Sequence, residues 1–106
     1  DSMLTELVAC LYVRFPQADG YYRAVYLAER TALNLAEKIA QKQRINPDRI
    51  ARIIYISQNG LQVMVDDDLG RELPEGQDMA AEFAEVPLAD TNVDLPSTGF
   101  EVKLSF

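Results

Sequence analysis

Apolar and polar residues alternate through LVACLYVRF, residues 7–15. With Arg14 turned to solvent, Leu11, Val13 and Phe15 share one face and Cys10 and Tyr12 the other, which is the two-residue period of a half-buried strand. Residues 17–20, QADG, supply a turn with Asp-Gly as its hairpin signal. YYRAVYL, residues 21–27, returns as a second strand rich in aromatic and β-branched side chains, and places Val25 and Leu27 on the face of Leu11 and Val13. The period then changes. Over residues 31–43, Ala32, Leu35, Ala36, Ile39 and Ala40 recur at steps of three and four behind Thr31, a good N-cap, predicting one amphipathic helix packed on the sheet. Glu37, Lys38, Gln41 and Lys42 take its other side, the lysines late, where the helix dipole favours cations. Asn46-Pro47 is predicted to end it.

Residues 50–58, IARIIYISQ, read as a third strand, Asn59-Gly60 as a hairpin turn and residues 61–65 as a short fourth strand. The polar stretch 66–78 has room for a single helical turn. Residues 79–87 form a fifth strand, 88–98 a polar, proline-bearing loop, and 99–106 a sixth strand. Residues 1–6 read as an N-terminal extension or cloning remnant, and 7–106 as one domain without internal repeats. The order hairpin, helix, strand pair, turn, strand is that of a ubiquitin-like β-grasp: an α+β fold with a mixed sheet of five to six strands and one main helix across its concave face.

Composition narrows what such a domain does. The 106 residues suit a single core. No apolar run approaches the ~18 residues a membrane-spanning helix needs. Net charge is −7, and the basic residues are scattered apart from Lys38, Lys42 and Arg44 near the helix end, so direct contact with nucleic acid is not expected. The single cysteine, Cys10, excludes an internal disulfide and reads as a small buried or half-buried side chain. Histidine is absent, which removes the commonest general base and metal ligand together. Glycines stand singly at turns, and no serine sits in a nucleophile-elbow context. We therefore expect no enzyme, no cofactor and no metal.

Two surfaces remain. Asp66, Asp67 and Asp68 lack the ligand spacing of a calcium loop and any accompanying nucleophile; they are expected to close strand four and cap a helical turn through Leu69. The second surface is apolar where a sheet should be wet. If Ile53 and Tyr55 face the helix, Ile54 and Ile56 face outward, as do Tyr12 and Tyr26 on the hairpin. Together they are expected to form a protein-binding patch.

LYVR at 11–14, the helix ending in KQRI, INPDRIARIIYISQNG at 45–60, VDDDL at 65–69 and the closing GFEVKLSF resemble, in order and spacing, the C-terminal region of Grainyhead-type transcription factors. The resemblance covers most of 9–86 and again 99–106. Each motif alone is common; their succession carries the match. Ser57-Gln58-Asn59 stands where animal members tend to be basic, and 88–98 is longer than usual, which fits a diverged member such as a fungal one. The resemblance implies a ubiquitin-like dimerisation domain in a nuclear regulator, whose DNA is read by a separate upstream domain. The implied partner is a second copy or a related family member, with no direct nucleic-acid contact and no membrane. It assigns no interface residue, so Tyr12, Tyr26, Ile54 and Ile56 rest on the physical reading alone. The alternative is a ubiquitin-like adaptor whose acidic 66–78 segment meets a basic partner protein.

Overall fold

The alternation of the first hairpin is realised as strands β1 (Ala9–Arg14) and β2 (Tyr22–Leu27), antiparallel and in unbroken register from Ala9↔Leu27 to Arg14↔Tyr22. A computed structural model describes residues 8–16, 19–88 and 98–106. The expected N-terminal extension, part of the first turn and most of the 88–98 loop lie outside these. Along β1, Ala9, Leu11 and Val13 are buried while Tyr12 and Arg14 are exposed, as the period of two requires.

Helix α1 (Ala32–Gln43) follows, and the Thr31 side chain accepts the Asn34 N–H as its N-cap. Leu35, Ile39 and Ala40 are its buried positions. The expected terminator is corrected. The helix ends at Arg44, in the left-handed region at φ 58°, ψ 42°, and N–H groups beyond the last turn satisfy the carbonyls of Ala40 and Gln41. Asn46-Pro47 instead opens a separate 3-10 turn, Pro47–Arg49, capped by the Asn46 side chain accepting from the Asp48 N–H.

Strands β3 (Ile50–Ile56) and β4 (Gln62–Met64) form the second hairpin. Its turn needs Gly60, whose φ of 82° disfavours any side chain. The short helix α2 (Asp67–Glu72) precedes β5 (Asp78–Pro87) and β6 (Thr98–Ser105). Sheet order is β2-β1-β5-β6-β3-β4. The β1/β5 and β6/β3 pairs are parallel and the other three antiparallel. The fold is thus the expected mixed α+β sheet with one main helix, β6 lying inside the sheet between β5 and β3. The last strand pairs within its own chain.

Leu11, Val13, Val25, Leu27, Leu35, Ile39, Met79, Val102 and Leu104 are almost fully enclosed between α1 and one sheet face. Each aliphatic side chain so placed contributes about 1.5–3 kcal/mol relative to exposure. This packing fixes the strand faces, and with them which side chains are left on the opposite, outer face.

Candidate interaction surface

Cross-strand partners share a face, so the register maps the outer surface directly. It carries Tyr22, Ala24 and Tyr26 on β2, Cys10, Tyr12 and Arg14 on β1, Asp78, Ala80 and Glu82 on β5, Glu101, Lys103 and Ser105 on β6, and Arg52, Ile54 and Ile56 on β3. All four predicted residues, Tyr12, Tyr26, Ile54 and Ile56, therefore face outward as expected.

They do not form one patch. Two strands stand between β1 and β3, a separation of roughly 14 Å at ~4.8 Å per strand. The intervening strip is charged: Arg52 donates to Glu101 at 2.5 Å, and Lys103 approaches the same carboxylate at 3.9 Å. Ile54 is also corrected as an exposed residue. It is only 7% accessible, enclosed between its register partners Met64 and Lys103. Ile56 is half-buried.

The tyrosine end behaves differently. Tyr12 is 44% and Tyr26 51% exposed, and Tyr22, which the sequence reading missed, is 44% exposed on the same face. Its signal was present, because Tyr22 lies four residues from Tyr26 and shares its parity. Exposed Val8 extends the cluster towards the N-terminus. The Arg14 guanidinium stands 5.9 Å from the centre of the Tyr22 ring, a cation–π contact. A side-chain hydrogen bond with Cys10, its nearby thiol, and more weakly Tyr26 and Glu75, hold the Tyr12 phenol above its ordinary value. Arg14 borders the rings on one side and Asp78, the register partner of Tyr12, on the other, so large aromatic area with a polar rim is offered to a partner.

The aspartate triplet resolves into three separate bonds. Asp66 accepts the Leu69 N–H at 2.9 Å and is the N-cap of α2, as expected. Asp67 accepts the Ala32 N–H at 2.9 Å, tying α2 to the first residue of α1. Asp68 pairs with Arg71 in the next turn. From the α1 side, Arg30 donates to the carbonyls of Leu73 (2.5 Å) and Gly70 (3.4 Å). Glycine suits this close approach, since a Cβ at position 70 would lie a tight 3.0 Å from the Arg30 carbonyl oxygen. The triplet is one half of a latch between the two helices.

The chain belongs to the GRHL1-like C-terminal domain family, whose model matches residues 7–96. Among relatives, it is 35% identical over 71 residues to transcription factor CP2 of Xenopus tropicalis, covering 67% of this chain and 13% of that protein. It is 35% identical over 71 residues to alpha-globin transcription factor CP2 of Homo sapiens (67% and 14%), and 39% identical over 54 residues to that of Mus musculus (51% and 11%). The chain thus spans about one-seventh or less of these relatives' length. No solved structure matches it. Among the described residues, no helix is long and apolar enough to cross a membrane.

Proposed function

We propose that this domain pairs two copies of a nuclear transcription regulator, or one copy with a family member, while other parts of the parent protein contact DNA. The observation that carries this reading is the tyrosine end of the outer face: Tyr12, Tyr22 and Tyr26 on the sheet and Val8 just before β1, all exposed, in a family whose named relatives are transcription factors. Pairing raises the local concentration of a second DNA-binding domain once the first has bound, and strengthens binding without new DNA contacts. A two-fold interface presents the same patch from both sides, and aromatic rings supply large contact area at low entropic cost. Sedimentation of the isolated chain across a dilution series tests it. We expect a reversible dimer that Tyr26→Asp shifts to monomer without change in the circular dichroism spectrum. A mass that stays monomeric at high micromolar concentration overturns the reading.

The adaptor alternative draws less support, since Asp66, Asp67 and Asp68 are each bonded within the chain.

A further inference from the structure

β2 is the sheet's long free edge. It runs six residues in register with β1 and, among the described residues, has no strand on its other side, whereas the opposite edge, β4, is only three residues long. A free edge exposes unpaired N–H and C=O groups, and proteins blunt such edges with brevity, proline, bulges or charge. β2 contains no proline and its register has no bulge. Positive charge flanks it instead. Its alternation puts Tyr22, Ala24 and Tyr26 on the outer face and Arg23 and Val25 on the side of α1. There, Lys38, Gln41 and Lys42 of α1 join Ala24, Val25 and Tyr26 around a hollow of about 150 Å³ beside the edge. Among the described residues neither lysine has an ion-pair partner, although the chain as a whole carries −7.

We propose that β2 is a docking edge for an acidic, extended segment of another protein, which adds as a seventh strand and seats a carboxylate between Lys38 and Lys42. In strand addition the main-chain ladder supplies affinity and alternate side chains supply specificity. Acidic residues at every second position face the lysines, and the residues between them point to the other side of the added strand. The same charges disfavour a second copy on this edge. Two-fold strand pairing would bring Lys38 and Lys42, unpaired among the described residues, towards their own equivalents, and like charges across a pair are destabilising. The inference does not depend on self-association, which uses the tyrosine rings and not the backbone edge.

The test uses the whole chain and a fluorescein-labelled peptide of alternating glutamate and valine, read by anisotropy at low and high salt, with an alternating lysine–valine peptide as counterpart. We expect the acidic peptide alone to bind, to weaken as salt rises, and to lose roughly tenfold in affinity with Lys42→Glu. Lys42 is exposed, so this variant keeps the fold, and Lys38→Gln should act in the same direction. Amide exchange along β2 should slow in the complex. No binding, equal binding of the two peptides, or indifference to Lys42→Glu overturns the proposal. So does β2 protection that grows with protein concentration without peptide, because a second copy would then hold the edge. The mass of the peptide-free chain reports self-association separately, so each reading can fail without the other.

Discussion

The outer sheet face has two apolar ends with opposite fates. At the β3–β4 end, Ile54 is enclosed; at the β1–β2 end, Tyr12 and Tyr26 stand in solvent. Both ends follow the same alternation, and β1 and β3 each have a strand on either side. The neighbours make the difference. Ile54 lies in register between Met64 and Lys103, two long side chains, and is itself only 7% accessible although Met64 beside it is 54% exposed. Tyr12 lies between Ala24 and Asp78, and Tyr26 opposes Cys10, so a large ring rises above small neighbours. Alternation assigns a side chain to a face. Whether it protrudes depends on the size of its cross-strand partners.

The contrast has its largest expected consequence at Ile54. Ile54→Ala should cost about 2–4 kcal/mol in urea unfolding, because it removes buried methyl groups from a site with walls on both sides. Tyr26→Ala, measured at concentrations where the chain is monomeric, should stay within ~0.5 kcal/mol, as exposed substitutions do. Comparable losses at the two positions would mean that the tyrosine end is core and not a surface for a partner.

A middle-sized effect is expected beside the isoleucine end, where Asp66 follows β4 by two residues and caps α2. Asp66→Ala should destabilise by ~1 kcal/mol while Asp66→Asn, which keeps an accepting oxygen, stays within a few tenths. Thermal unfolding of the pair separates capping from charge. A large loss with Asn would show that the negative charge itself stabilises the start of α2.

Much of this was legible in the chain. The first hairpin, Thr31 as N-cap, the inward set Leu35 and Ile39, the Asn59-Gly60 turn and Asp66 as a cap all follow from local chemistry within a few residues. The register of distant strands does not. That β6 enters between β5 and β3, and so drives a charged strip between Tyr12 and Ile54, depends on pairings some fifty residues apart in sequence. The helix's last residue, Gln43, was legible, but what ends the helix there was not. Proline is a visible breaker, whereas Arg44 in a left-handed conformation bears no sequence mark, since glycine is the residue expected there. Asp67 on Ala32 and Arg30 on Leu73 were likewise hidden, being contacts between segments that only the fold brings together.

The smallest expected effect belongs to the tyrosine end, at the turn that launches β2. The Tyr21 backbone N–H donates to Asp19 at 3.1 Å, and Arg23 follows at 3.3 Å; the two hold the Asp19 carboxyl below its ordinary value. A carboxyl lowered in the folded state adds stability above its unfolded value, and that part is lost as pH falls through the lowered folded value. Asp19 is solvent-exposed, so its share is slight, and it should show in the acid limb of the unfolding profile only as a small difference between the parent chain and Asp19→Asn. Direct NMR titration of the Asp19 carboxyl is the sharper measurement. A midpoint at the ordinary carboxylate value would show the turn to be looser than described. Tyr21 and Tyr22 would then enter β2 without a fixed direction, and the tyrosine end would lose the rigidity that sets it apart from a solvated loop.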